Sequence, residues 1–218
     1  MSPRAWRRVS HLALWALCLY PAARLAYDFF TGGLSVNPIE DITNRTGWWA
    51  LFALAATLAI TPLRRLTKWH WLVRYRRQLG LTSFIYATMH LATYAVLDLG
   101  FDLSHLWGDL RERPFMTVGF LAWLILLALA FTSTRRAIRA MGSRWQKLHR
   151  FVYLAAGLAV LHFFWSQKAD KVEPLIFAGV FAVLLGARLV YAVVRRRRNA
   201  YPPSPSTSST ASPRGDSR

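Results

Sequence analysis

Apolar residues run along this chain in six long stretches separated by short polar segments: Val9–Phe30, Trp48–Leu63, Leu79–Leu97, Phe115–Thr132, Leu148–Trp165 and Leu175–Val194. A hydrocarbon layer about 30 Å thick takes roughly 20 apolar residues of helix. Inside it a backbone polar group finds a partner only within its own helix or a closed barrel. The pattern predicts an all-α, polytopic membrane helix bundle with six transmembrane helices, forming one domain over 1–194. No internal repeat is evident.

The apolar share of 54%, with ten Trp and thirteen Phe, exceeds what a water-soluble core of this length uses. A net charge of +18 could signal nucleic acid, yet the basic residues sit between the apolar stretches and at the two ends. Membrane lipid is the expected partner, and no nucleic acid. Arg64–Arg77 and Arg135–Arg150 each carry six Lys or Arg and no acid, whereas nine of the ten acids lie in or beside the other three loops. The positive-inside bias makes the basic segments cytoplasmic, so both termini face the cytoplasm of a bacterial inner membrane. Arg4, Arg7 and Arg8 before an apolar run ending at Pro21-Ala22-Ala23 also resemble a signal peptide, but apolar character resumes through Phe30, which favours a retained helix. The segment 195–218 opens with four arginines and continues rich in Pro and Ser, as a disordered cytoplasmic tail would. The single cysteine, Cys18, excludes an internal disulfide, a Cys-ligated iron–sulfur cluster and a Cys-rich zinc site.

Six histidines are the candidate chemistry. His11 and His70 lie near cytoplasmic ends and His105 in an outer loop, where a solvated or interfacial imidazole is ordinary. His90 and His162 lie deep in the third and fifth spans at comparable heights, a little outside the midplane, where a polar side chain needs a partner. Two neutral imidazoles from different helices could fill both axial positions of one haem and leave no open site, which suits single-electron transfer rather than catalysis. Each could instead bond a neighbouring helix, and the small residues near them fit haem or close packing equally. His149 stands thirteen residues before His162, about 20 Å along the axis and about 140° around it, a separation suited to a second haem. The matching position on the third span is Arg77, so simple spacing supplies no second histidine pair, and His149 could use His70, a weak ligand or a different cofactor. Arg74, Arg76 and Arg77 could pair with haem propionates or a flavin phosphate, or serve as topology charges, and Arg77 is the candidate at an inner cofactor.

The stretch Arg76-Arg77-Gln78-Leu79-Gly80-Leu81, continuing through Tyr86-Ala87-Thr88-Met89-His90 to Tyr94, resembles the third span of the MsrQ (YedZ) family. So does Trp145-Gln146-Lys147-Leu148-His149-Arg150, continuing through Val152-Tyr153-Leu154 to His162. With the segment Asn37-Pro38-Ile39-Glu40, the resemblance covers nearly all of the chain but the tail. It implies a ferric-reductase-like transmembrane protein, the haem-binding membrane subunit of the MsrPQ protein-methionine-sulfoxide reductase system. It further implies haem b, one or two, and FMN as cofactors, with the residues matching His90, His149 and His162 as haem ligands. Electrons would come from the quinone pool, or by some routes from a cytoplasmic flavin reductase. They would go to the periplasmic molybdopterin subunit MsrP, which repairs oxidised envelope proteins. No nucleotide-binding glycine fingerprint or soluble domain is present in the sequence, so electrons must come from another protein or a lipid-soluble carrier. The alternatives are a stand-alone ferric reductase of the same superfamily and a haem-free transporter or assembly factor.

Overall fold

The computed structural model describes residues 2–100, 102–167 and 170–200, and those residues are all-helical, with no strand among them. Helix α1 is Pro3–Thr31, α2 Pro38–Thr67 and α3 Arg76–Ala92, with a 3-10 segment His70–Tyr75 leading into α3 and a π-helical segment Thr93–Asp98 extending it. Then follow α4 Leu103–Glu112, α5 Pro114–Phe131, α6 Arg135–Met141, α7 Ser143–Leu148, α8 Val152–Ser166 and α9 Val172–Ala200. The 3-10 segment His149–Phe151 joins α7 to α8. The backbone of Arg195–Arg198 is thus helical, and 201–218, where the Pro- and Ser-rich tail is expected, lie outside the described residues.

Local chemistry sets the helix ends. Ser2, Asn37 and Thr134 cap α1, α2 and α6 by accepting a backbone N–H in the first turn. Pro3, Pro38 and Pro114 open α1, α2 and α5, where their missing N–H costs nothing. Gly32 closes α1 in the left-handed region at φ 72°, a conformation an L side chain resists.

Five segments are long and apolar enough to cross a membrane: Arg4–Thr31, Pro38–Thr67, Pro114–Phe131, Ser143–Ser166 and Val172–Val194. The third expected span is built differently. Its α-helical part has 17 residues and buries Gln78, Thr82 and Ser83, so it is short and polar by hydropathy. Its place in the bundle explains this, because polar groups enclosed by neighbouring helices find partners there. Ser83 is fully buried and donates to the Ala50 carbonyl of α2 at 2.9 Å, and a Cβ on Gly80 would meet the Thr57 methyl at ordinary contact distance.

The core lies between α2, α3, α5, α8 and α9, where Leu54, Leu58, Leu126, Ala155, Ala156 and Phe181 are buried. Helix α1 packs more loosely, through three polar fastenings. At one end His11 meets Gln78 twice, Nδ1 to Oε1 at 2.9 Å and Gln78 Nε2 to the His11 carbonyl at 3.0 Å. In the middle the Tyr86 hydroxyl stands inside the α1 ladder, accepting from Ala22 N–H at 3.1 Å and donating to the Cys18 carbonyl at 2.8 Å. The interruption falls at Pro21, which cannot donate to the ladder. At the other end buried Asp28 takes Arg24 at 3.1 Å and Arg45 of α2 at 2.8 Å.

Candidate functional site

The starts of α2 and α5 and the ends of α3 and α8 meet at the end of the bundle where the acidic residues gather. A cavity of about 370 Å³ opens between these four helices, lined by His90 and His162 with Gly47, Gly119, Leu54 and Trp123. The two imidazole rings lie 5.9 Å apart between centroids, with planes at 83°. Trp123 fixes one wall, its indole N–H donating from α5 to the Thr88 hydroxyl of α3 at 3.1 Å.

Each imidazole is oriented from behind by a backbone carbonyl. His90 Nδ1 meets the Thr43 carbonyl at 2.8 Å and His162 Nδ1 the Phe115 carbonyl at 2.7 Å. A carbonyl only accepts, so both rings carry their proton on Nδ1 and keep the Nε2 lone pair. A histidine that ligates a metal is commonly held by such a bond.

Glycine makes the close approach possible. A Cβ on Gly47 would come within 3.0 Å of His90 Nδ1, and one on Gly119 within 2.6 Å of His162 Nδ1. Each glycine lies four residues after the residue whose carbonyl accepts from the ring, so a helical turn presents a C=O and, one turn on, a surface without a side chain. The set Thr43, Gly47, His90 recurs as Phe115, Gly119, His162 at a constant offset of 72 residues in sequence number. The hairpins α2–α3 and α5–α8 thus present their histidines in the same way, although few other residues match at that offset.

Fit to a haem rests on this geometry. An imidazole nitrogen binds a transition metal at about 2 Å, so two rings on one ion have centroids roughly 6 Å apart. The 5.9 Å separation meets that requirement, and both free lone pairs belong to neutral rings. Among the described residues no three His, Cys, Asp or Glu gather as a metal site. Two axial nitrogens with an apolar cavity therefore fit an iron porphyrin better than a bare ion.

His149 is not brought to this pair. Its Nε2 lies 3.2 Å from the Thr132 hydroxyl, and the Trp145 ring stacks on it at 3.9 Å. The Thr132 hydroxyl also lies 2.7 Å from the Ala128 carbonyl, and it is a side-chain oxygen, not a backbone carbonyl, that meets the His149 ring. Arg77 is exposed, and it is Arg76 whose charge acts on His149. His11, expected at an interface, is half-buried against Gln78, and His70 is exposed. The side chain of His105 lies outside the described residues. Sequence reasoning missed Thr43, Gly47, Phe115 and Gly119; the only trace of them is a glycine shared at the 72-residue offset.

A ferric reductase like transmembrane component family model matches residues 46–160, a segment that contains Gly47, His90, Gly119 and His149. The chain is 47% identical over 189 residues to the protein-methionine-sulfoxide reductase heme-binding subunit MsrQ of Herminiimonas arsenicoxydans, covering 85% of this chain and 87% of that one. It is 46% identical over 198 residues to the MsrQ heme-binding subunit of Rhodospirillum rubrum, covering 90% and 95%. It is 44% identical over 192 residues to that of Ralstonia nicotianae, covering 87% and 88%. No solved structure matches it. A multi-pass helical bundle with a facing histidine pair, matched over most of its length by these relatives, belongs to the ferric-reductase-like transmembrane family and, within it, to the MsrQ heme-binding subunits.

Proposed function

We propose that this chain is the haem-binding, electron-transferring membrane subunit of a protein-methionine-sulfoxide reductase system, with His90 and His162 as the axial ligands of a b-type haem. The observation that carries the reading is the facing pair at 5.9 Å with both Nδ1 atoms tied to backbone carbonyls. A haem with both axial positions filled supplies reversible single-electron exchange and no open coordination site. The chain's own residues do the rest. Thr43 and Phe115 fix each ring's tautomer, Gly47 and Gly119 let the rings sit against the helices, and Leu54 and Trp123 restrict water at the cavity wall.

The reading extends to six spans, with α3 and its π-helical continuation as the third and both termini in the cytoplasm of the bacterial inner membrane. The cavity then lies near the periplasmic face, and a periplasmic molybdopterin subunit, MsrP, would take the electrons there. The donor would be the quinone pool or a cytoplasmic flavin reductase. At the basic end His149 would serve a second haem or an FMN, with Arg77 exposed to meet an anionic group of that cofactor.

The test is an absorption spectrum of detergent-purified protein before and after dithionite. Sharp reduced α and Soret bands are expected, and His90→Ala or His162→Leu should remove them while the helices stay inserted, since leucine is well tolerated in lipid. Normal haem content in either variant would overturn the ligand assignment.

A further inference from the structure

The opposite end of the bundle holds a second concentration of chemistry that the histidine pair does not use. Arg188, on α9, turns inward between α2 and α8 instead of outward along the helix. One Nη donates to the Leu58 carbonyl at 3.0 Å and to the Thr61 hydroxyl at 2.8 Å; the other donates to the Tyr153 hydroxyl. Its Nε is buried and meets no acceptor among the described residues. All the acceptors are neutral, and none of the ion pairs among the described residues involves Arg188. Arg65 and Arg76 stand close enough to act on it as like charges, and Arg65 lies 3.3 Å over the Tyr191 ring of α9. Neutral acceptors orient a guanidinium without cancelling its charge, and a fixed, uncompensated cation inside a membrane protein is costly.

An arginine kept only for topology would extend its head toward the interface, as long cationic side chains do. Arg188 instead spends its donors on two other helices. It sits seven residues before the run Arg195–Arg198, about 10 Å within that helix end, and α2 and α9 bring Arg65 to the same level. Pockets lined by cations between transmembrane helices at the basic face of a membrane suit anionic headgroups. The planar fork of arginine matches phosphate oxygens in particular.

We propose that the basic ends of α2, α3, α8 and α9 form a binding site for a phosphate group, with Arg188 as its fixed cation and Arg65 and Arg76 as its reinforcing ones. The site is independent of the haem reading, because none of these three arginines lines the histidine cavity. The phosphate is that of an anionic phospholipid headgroup, the phosphate carrier that surrounds this end of the bundle, and mass separates it from a phosphate-bearing cofactor.

The full chain is purified in mild detergent and washed free of bulk lipid. Total phosphorus per chain is then measured, and native mass spectrometry gives the mass of whatever is retained. Wild type should retain a phosphate-bearing molecule, and Arg188→Gln should retain roughly tenfold less or below, as expected for a lost charge-assisted contact. A lipid mass supports the site, whereas a nucleotide-sized mass lost in the variant would give the arginines to a cofactor and overturn the lipid assignment. If Arg188→Gln fails to fold, the double variant Arg65→Gln with Arg76→Gln leaves the Arg188 hydrogen bonds to α2 and α8 intact and should also lower retention. Wild type with no bound phosphorus, or retention unchanged in whichever of these variants folds, overturns the proposal.

Discussion

A buried imidazole offers itself as a ligand only when something else decides which nitrogen keeps the proton. Here two main-chain carbonyls make that decision, and two missing side chains give them access. Gly119→Ala therefore tests the site without touching a ligand. Its new Cβ would stand 2.6 Å from His162 Nδ1 and 3.0 Å from Cγ, distances that force the ring or the helix to move. Gly47→Ala would meet His90 at 3.0 Å or more and asks for a smaller shift. The expected order of bound haem per chain, read from reduced-minus-oxidised absorbance, is wild type, then Gly47→Ala, then Gly119→Ala. The reverse order, or no loss in Gly119→Ala, would show that the glycines only permit helix packing. The two histidines were legible in the sequence because a polar side chain deep in an apolar run is conspicuous. Their carbonyl partners were not, since every residue carries that group, and a glycine in a membrane helix is common for plain packing reasons.

Whole elements were legible where hydropathy alone defines them. Five of the expected spans match helices long and apolar enough to cross a membrane, usually extended by a turn or more beyond the apolar run because caps and prolines, not hydropathy, end them. The segment Leu103–Glu112 reads as an outer loop but forms a helix, and the third apolar run turns π-helical over Thr93–Asp98, shortly after His90; hydropathy marks neither feature. The likeness between α2–α3 and α5–α8 also escaped sequence inspection, because packing and hydrogen-bond geometry repeat while most side chains differ.

Helix α1 carries an element-scale prediction. Most of its surface faces away from the bundle, so its position depends on the Gln78, Tyr86 and Asp28 contacts. The Asp28 side chain is 6% exposed while its partners Arg24 and Arg45 are 57% and 40% exposed, so solvent screens much of the pairing. Replacing it, as Asp28→Asn, should cost on the order of 1–2 kcal/mol, below the cost of breaking a fully buried pair. The loss should appear as a lower Tm in detergent and easier proteolysis of α1, with bound haem unchanged because α1 does not line the histidine cavity. Equal loss of haem would mean that α1 supports the cavity through α2.

At the scale of the molecule, the histidine pair and the arginine cluster occupy opposite ends. The histidine cavity opens where Glu40, Asp98 and Arg113 stand, and the arginine cluster closes the other end. Which end faces the cytoplasm depends on whether α3 crosses the membrane, and one experiment settles orientation and span number together. In a Cys18→Ala background, single cysteines replace Ser35, between α1 and α2; Glu112, at the end of α4; and Ser143, at the start of α7. With six spans and cytoplasmic termini, an impermeant thiol reagent applied to spheroplasts should label positions 35 and 112, and reach 143 only after lysis. If α3 did not cross, the chain would reverse sense after α2, and 143 would label from outside while 112 would not. The arginines favour the first pattern, since both basic segments then share the cytoplasmic side as the positive-inside bias requires. The 17-residue α-helix of α3 and its 6-residue π-helical continuation, at roughly 1.5 Å per residue for the α part and somewhat less for the π part, come to about 30 Å, enough to cross the hydrocarbon.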